Sequence, residues 1–252
     1  MQEQKKRLIR ELQQNTNVKI MDSREWCVPV YTIEVTYRPI KRIKMDVLMK
    51  MMLLSFQKAN IENARQLSEI LLVDQLFVED LISLMKKSGL IKVTTDKILL
   101  TSKGEEQLGR GIFEEEQELE TEQLLYSQTH DSFLLGEIKP ASEGEENLQV
   151  FRHAPEKRQA RFRWEEDVVI EALHKKGVLE DKGETQIIIG DIVATEELYV
   201  DDVPCLEFIL HNESDDSLYA RVWNTLSDEW DKTLEEMLVE QERVSWREKY
   251  LD

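Results

Sequence analysis

The amino-acid sequence predicts an α+β protein with a helical module in its first half and a smaller mixed β/α domain that ends in a long helix. Three observations predict this class. Polar and apolar residues alternate before residue 39, apolar residues recur at helical spacing between residues 41 and 88, and short strand patterns precede a final amphipathic segment. A chain of 252 residues is long enough for two small domains.

We expect four consecutive segments along the chain. They are an N-terminal helix and strand (1–39), the helical module (40–110), an acidic helix or linker (111–148), and a β-rich C-terminal domain with a terminal helix (149–252). In the first segment, long polar side chains around Leu8 favour a helix over residues 2–15. Residues 31–37 then alternate with a period of two, which is typical of a half-buried strand, and we expect Pro39 to end that strand.

The helical module is predicted to begin with a helix from about Lys41 to Lys58, since apolar residues recur there at helical spacing. Its methionines have two interpretations. Met45, Met49 and Met52 form a soft, adaptable surface for a protein partner, or they fill a core. The sequence leaves both interpretations open.

Two further helices follow, each with a capping residue. Asn63 can cap a short helix in which Ile70 belongs to the apolar face, and Asp74 can cap a second helix. The second helix ends near Gly89, a residue type that commonly terminates helices.

A two-stranded ribbon over residues 90–93 and 98–100 comes next, and either residue of the pair 101–102 can cap a last helix. This order of elements is that of a winged helix-turn-helix domain. The segments ARQLSEILLVDQLFVEDLISLMKKSGLI and ILLTSKGEEQL resemble the helix-turn-helix and wing of bacterial winged-helix domains, in which a GLI…LT..G ending is common. The resemblance covers residues of about 40–108, a quarter of the chain, and implies a fold rather than a function.

The second half of the chain is predicted to be mostly strands and turns. Residues 114–122 carry six glutamates that we expect to face water in a helix or linker, and Asp201-Asp202 is predicted as a turn. A helix is predicted around Glu165–Lys176, and a final helix from Ser227, its cap, to Tyr250. The predicted strands are Ile187–Ile189, Leu198–Val200, Leu206–Leu210 and Leu218–Trp223.

Charge argues against general binding of nucleic acid. The net charge is −18, although residues 1–60 hold 12 Lys and Arg against 6 Asp and Glu and therefore carry +6. A DNA-reading winged helix places the start of its second motif helix in the major groove, and here that start carries Glu79 and Asp80. We therefore expect Glu79 and Asp80 to belong to a surface that contacts a protein partner.

One basic segment with interleaved aromatic residues is the better candidate for contact with nucleic acid or phosphate. Cations and stacking rings together suit single strands and phosphate-rich ligands. The alternative is that these cations pair with the glutamates at 114–122 or 143–146. The candidate residues are Arg152, Lys157, Arg158, Arg161, Arg163 and Trp164.

Signals for enzymatic chemistry are weak. The sequence has no phosphate-binding glycine loop, no nucleophile elbow and no zinc-ligand spacing, so we expect no catalytic residue, no cofactor and no metal. The neighbouring His130 and Asp131 could form a general-base pair, but a structural histidine is the preferred interpretation. Cys27 and Cys205 are expected as packed, reduced thiols, and with neither a signal peptide nor a membrane-spanning run, a cytoplasmic protein is expected.

We therefore expect a non-enzymatic interaction protein, an accessory subunit of a larger bacterial assembly that acts on nucleic acid, for example in chromosome organisation or phage defence. Acidic winged-helix partners of chromosome-organising ATPases offer an analogy in fold, acidity and size. The alternative is a DNA-binding transcription regulator whose C-terminal domain senses a ligand or forms a dimer. An enzyme would require carboxylates and a histidine that converge in a pocket.

Overall fold

The computed structural model describes residues 2–94, 96–139, 148–155, 163–178, 181–182 and 185–251, and it is an α+β structure, as predicted. In chain order the elements are α1 (Gln2–Leu12), β1 (Val18–Lys44), α2 (Val47–Lys58), α3 (Ala64–Leu71), α4 (Gln75–Lys87), β2 (Ile91–Val93), β3 (Ile98–Leu100), α5 (Ser102–Arg110), β4 (Ile112–Glu116), β5 (Glu120–Ser127), β6 (Ser132–Leu134), α6 (Glu166–Lys176), β7 (Asp181–Lys182), β8 (Thr185–Asn212), β9 (Ser217–Asn224), β10 (Glu229–Trp230) and α7 (Lys232–Tyr250).

The chain divides into two compact units, each built from separate stretches of sequence. The sheet unit takes the described residues of Met1–Val35, Glu122–Lys176 and Thr195–Asp252. The helical unit takes those of Thr36–Thr121 and Gly177–Ala194. This division differs from the four consecutive segments expected from the sequence, because the long strands β1 and β8 each contribute residues to both units.

The sheet unit is built on strands hydrogen-bonded in the order β10-β9-β8-β1-β5-β6. The two faces of β8 bury different residues, as the period-two geometry of a strand requires. Cys205 and Ile209 pack in one cluster with Leu234 and Trp246 of α7. Phe208 and its apolar neighbours on the other face pack with α1 residues in a second cluster. The sheet therefore lies between α1 and α7.

The helical unit packs α2, α3, α4 and α5 with the β2–β3 ribbon around one core. Met52, Leu67, Val78 and Met85 are fully buried in it, and Leu108 of α5 completes one side. The ribbon is antiparallel, and β4 pairs with the last residues of β1. The order of helices and ribbon in this unit is the one expected from the sequence.

The prediction that Pro39 ends the first strand is wrong. Strand β1 runs on to Lys44, because the residues after the proline pair with β4, from Ile40 opposite Glu116 to Lys44 opposite Ile112. The Pro39 carbonyl still accepts a hydrogen bond, from the N–H of Gln117 at 2.8 Å. As a consequence, α2 begins at Val47 rather than near residue 41, capped by Asp46.

The acidic segment is neither a helix nor a linker, so that prediction is also wrong. Residues 112–116 form β4 and residues 120–127 form β5. Opposite charges make this possible, since Glu114 accepts a hydrogen bond from Arg42 at 2.7 Å and Glu122 one from Lys176 at 2.6 Å. The glutamates that were expected to face water are in part paired within the fold.

Two boundaries in the C-terminal half also differ from the predictions. The three segments between 187 and 210 form one strand, β8, and Asp201-Asp202 continues it rather than turning the chain. The final helix begins after Asp231, whose carboxylate accepts from the N–H of Leu234 at 3.2 Å, whereas Ser227 lies before β10. The helix predicted up to Lys176 is observed as α6.

Candidate protein-docking surface

Local hydrogen bonds hold the connection between α3 and α4 in one conformation. The Asn63 side chain accepts from the backbone N–H three residues on at 2.9 Å, and the Asp74 carboxylate accepts from the N–H two residues on at 2.8 Å. Both predicted helix caps are therefore confirmed. Between the helices, the Ser68 hydroxyl donates to the Val73 carbonyl at 2.6 Å.

This connection carries four large apolar side chains that face solvent. Ile70 is 53% exposed, Leu72 91%, Leu76 72% and Phe77 54%. We call these four residues the turn surface. Ile70 was expected on the buried face of its helix, and that expectation is wrong. Clustered exposed apolar side chains, unlike single ones, mark interaction sites.

Leu72 occupies its position at a conformational cost. Its φ of 54° and ψ of 42° lie in the left-handed region, which costs a residue with a β-carbon about 1–2 kcal/mol. A glycine or asparagine would fit this backbone better, and a polar side chain would suit its exposure better. The presence of leucine here therefore points to a use other than folding.

Acidic side chains surround the turn surface. Glu69, Asp74, Glu79 and Asp80 are all exposed. Glu69 accepts from Arg65 at 3.1 Å, and Glu79 accepts from the Gln75 amide. The prediction that the start of α4 presents Glu79 and Asp80 to solvent is confirmed.

Exposed lysines of the helical unit lie away from the start of α4. Lys86 and Lys87 are in its last turn, and Lys92 and Lys97 are in and beside the ribbon. A helix that reads bases uses residues near its N-terminus. Here that end presents apolar and acidic groups, which do not neutralise phosphates.

The predicted partner-contact methionines are not on the surface. Met45 and Met49 are no more than 5% exposed, and Met52 is fully buried, all in the core of the helical unit. The core-filling interpretation of these residues is correct, because α2 is covered by neighbouring helices and the ribbon. Only Met51 of this helix is strongly exposed among its methionines.

Arg152, predicted to contact nucleic acid, is instead held in a network of carboxylates in the sheet unit. Its guanidinium donates to both oxygens of Glu207, at 2.7 and 2.9 Å, and also to Glu242. Trp26 donates to Glu207 at 2.6 Å, and His153 lies 2.6 Å from Glu242. The paired-cation interpretation is therefore correct for Arg152, although its partners are not the glutamates considered from the sequence.

This network shifts the protonation of its members. Burial raises the pKa of Glu242, but hydrogen bonds from Arg152 and His153 outweigh burial and lower it to about 2. Burial lowers the pKa of Arg152, and the hydrogen bonds with Glu207 and Glu242 raise it well above its usual value. Arg152 therefore carries a permanent charge that is already neutralised by two carboxylates.

The described remainder of the basic segment is Arg163 and Trp164, together with the residues up to 155. Trp164 packs edge-on against Tyr126 at 5.2 Å and in a tilted arrangement against Phe133 at 5.5 Å between ring centroids, so its ring is engaged in an aromatic cluster. Arg163 is exposed. The remaining candidates of this segment lie outside the described residues, namely Lys157, Arg158 and Arg161.

Acid is expected to destabilise the sheet unit through Glu242. A carboxyl group with a lowered pKa stabilises the fold above its unfolded pKa, near 4.5, and loses that contribution as the pH falls towards about 2. We expect the urea midpoint, followed by tryptophan fluorescence, to fall over this range. Glu242→Gln should lower the midpoint at pH 7 and make its fall in acid smaller. An equal fall in both proteins would contradict this assignment.

A serine, a histidine and an aspartate form a second buried cluster. The Ser127 hydroxyl lies 2.7 Å from Nδ1 of His130, whose Nε2 lies 2.9 Å from Oδ2 of Asp231. Burial raises the pKa of Asp231, and the hydrogen bond from His130 and its other partners lower it overall. Ser127 is fully buried, and its hydroxyl is already engaged by His130. Because Asp231 also caps α7, we interpret the cluster as a structural link. Asp131, which the sequence offered as a general-base partner of His130, accepts a hydrogen bond from the Tyr126 hydroxyl.

Both cysteines of the chain are packed in the sheet unit. Cys27 and Cys205 are buried as free thiols, and burial together with Asp202 raises the pKa of Cys27 to about 11. Within the described ranges, no group of three or more His, Cys, Asp and Glu side chains could hold a metal ion. None of the helices in that part of the chain combines the length and apolar character that crossing a membrane requires.

Comparison with known proteins adds no relative. No family model, curated protein or solved structure matches the chain.

The turn surface is the feature that sequence reasoning missed. Helical geometry held the necessary signal, since Leu76 lies two residues, or about 200°, from the buried Val78 and so faces away from it. Phe77 likewise lies off the stripe formed by Val78, Ile82 and Met85. The exposure of Leu72 could not be predicted, because it depends on the left-handed turn.

Proposed function

We propose that the chain is a non-enzymatic interaction protein whose helical unit is a winged helix-turn-helix module that docks onto a protein through the turn surface. The observation that carries this proposal is the exposure of Leu72, Leu76 and Phe77 where a DNA-reading module would present polar or basic groups. Aromatic and large apolar side chains that lie together on a surface commonly dominate binding energy.

The chemistry of the surface defines the partner. An apolar centre with an acidic rim fits a protein that offers an apolar pocket bordered by Lys and Arg. Opposite charge at the rim would speed association and set orientation, whereas Phe77 and Leu76 would supply most of the affinity.

The setting of this module is an assembly that acts on nucleic acid. The winged-helix order of elements and the net charge of −18 together favour an accessory subunit that reaches nucleic acid through its partner rather than by itself. Chromosome organisation and phage defence in the bacterial cytoplasm are the settings we propose.

The competing function, DNA reading, is tested by titrating the full chain into a labelled 30-base-pair duplex at about 50 mM salt and following anisotropy. We expect no saturable binding. Binding that weakens steeply as salt rises would overturn the docking proposal, since such salt dependence marks phosphate neutralisation. The charge-reversed Glu79→Lys, Asp80→Lys protein is the matched control, because it should bind the duplex better than the wild type.

Leu72→Gly is expected to separate binding from stability. Glycine relieves the left-handed backbone of Leu72, so the free energy of unfolding should stay within about 1 kcal/mol of wild type or rise. The same change removes an exposed apolar side chain, so less partner should co-purify with the tagged variant than with the tagged wild type from native cells. A marked loss of stability, or full retention of the partner, would contradict the role assigned to Leu72.

A further inference from the structure

The sheet unit contains a cavity of about 480 Å³ with mostly apolar walls. Its volume lies in the range of small-molecule sites, which are commonly apolar with a few placed polar groups. The walls come from β5, β6, the residues after β6 and α6. The apolar side chains among them include Leu124, Leu125, Phe133, Leu135, Ile138 and Ala172.

One residue that lines this cavity has a buried hydroxyl group. Thr32 of β1 is 1% exposed, and its Oγ1 has no hydrogen-bond partner in the described parts of the chain. An unsatisfied buried polar group is unfavourable, so native proteins rarely keep one without a reason. A ligand atom that accepts from or donates to Oγ1 would remove that cost.

Cationic side chains of α6 also line the cavity. Lys176 is occupied, since its ammonium donates to Glu122 at 2.6 Å and to the Gln123 carbonyl at 2.7 Å. Lys175 pairs with Glu171, one helical turn away, and both of these side chains are more than 60% exposed. Such a surface pair is weak, so Lys175 can exchange Glu171 for an anionic ligand group. Glu137 also lines the cavity and disfavours ligands with several negative charges.

We propose that this cavity binds a small amphipathic carboxylic acid that carries a hydroxyl or carbonyl group on its apolar body. The apolar body lies against the leucines and Phe133, the carboxylate pairs with Lys175, and the second polar group bonds the Thr32 hydroxyl. This site lies in the sheet unit and goes beyond the proposed docking function, so either can fail without the other.

The test is calorimetric titration of the full chain with decanoate, decanamide and two hydroxydecanoates, the 3- and 10-isomers. We expect saturable one-to-one binding of the acids, weaker binding of the uncharged amide, and the tightest binding from one of the hydroxy acids. Lys175→Glu should weaken binding of the acids at least about tenfold. Absence of binding by all four probes would overturn the proposal, as would amide binding equal to that of decanoate.

Thr32→Val is the decisive variant, because valine keeps the shape and removes the hydroxyl. It should erase the preference for the hydroxy acid over decanoate, a loss of about threefold to tenfold. Its melting temperature should equal or exceed that of wild type, since no hydrogen bond is lost. A lower melting temperature would show that the hydroxyl has a structural partner, and an unchanged preference would place the ligand elsewhere.

Filling the cavity gives an independent check. Ala172→Trp should abolish binding of every probe, whereas His174→Trp, at an exposed position about 200° around the same helix from Ala172, should leave it unchanged. Equal binding by both tryptophan variants would exclude this cavity as the site. If Ala172→Trp does not fold, the Thr32 and Lys175 variants still decide whether the ligand binds in this cavity.

Discussion

Replacing Arg152 with alanine is expected to lower the free energy of unfolding by about 2–4 kcal/mol, because Arg152 is partly exposed but its partner Glu207 is fully buried and loses its counter-charge. The change leaves the fully buried carboxylate of Glu207 with Trp26 as its remaining hydrogen-bond donor among the contacts described above. It also removes the link from Glu207 to Glu242 on α7. Urea unfolding at pH 7, followed by tryptophan fluorescence, measures the loss.

Two variants make this prediction specific. Arg163→Ala removes an exposed arginine of the same predicted basic segment and should change stability by no more than about 0.5 kcal/mol. Adding Glu207→Gln to Arg152→Ala should recover part of the lost free energy of unfolding, because an amide is less costly to bury without a counter-charge than a carboxylate. Equal effects of Arg152→Ala and Arg163→Ala would mean that Arg152 is not held as the geometry indicates.

The double change Leu76→Ser, Phe77→Ser is expected to lower affinity for the protein partner by at least about 100-fold. Side chains at the centre of an interface commonly contribute 2 kcal/mol or more each when removed. Both residues are more than half exposed in the chain alone, so the free energy of unfolding should change little. Surface plasmon resonance with the purified partner measures the affinity, and urea unfolding measures stability.

A matched control uses another exposed apolar residue. Val244 of α7 is 77% exposed and lies in the sheet unit, so Val244→Ser should leave affinity unchanged. Reversing the rim with Glu79→Lys and Asp80→Lys should mainly slow association. If the Leu76, Phe77 variant binds like wild type while the partner still binds the chain, docking uses a different surface.

Structure that depends on nearby residues was predictable from the sequence. The caps at Asn63 and Asp74 each accept a hydrogen bond from a backbone N–H two or three residues on, so residue type and spacing were sufficient there. At 101–102 the sequence left two candidates, and the cap is Thr101. The acidic start of α4 followed from the helix boundary alone. These features required no knowledge of distant parts of the chain.

Structure that depends on distant residues was not predictable. Glu114 lies in a strand because it pairs with Arg42, 72 residues away, and Asp201-Asp202 continues β8, which pairs with distant β1. Arg152 resembled a nucleic-acid contact because its partners lie 55 and 90 residues further along the chain. Tertiary context of this kind overrides the local preferences from which a sequence is interpreted.

The candidate docking surface was also predictable only in part. Its acidic rim was predicted, since charged residues at a helix start are normally exposed. Its apolar centre was missed, because Ile70 was assigned to a buried face and Leu72 depends on a left-handed turn. Apolar residues are ordinarily assigned to a core, so an exposed apolar cluster has to be seen in three dimensions.

Site-specific photo-crosslinking tests the central claim most directly. A photoreactive phenylalanine analogue at position 77 of the full chain, irradiated in native cells, should give one dominant adduct with another protein, identified by mass spectrometry. The same analogue at position 244 should not give that adduct. An adduct with nucleic acid at position 77, or the same protein adduct from both positions, would contradict docking through the turn surface.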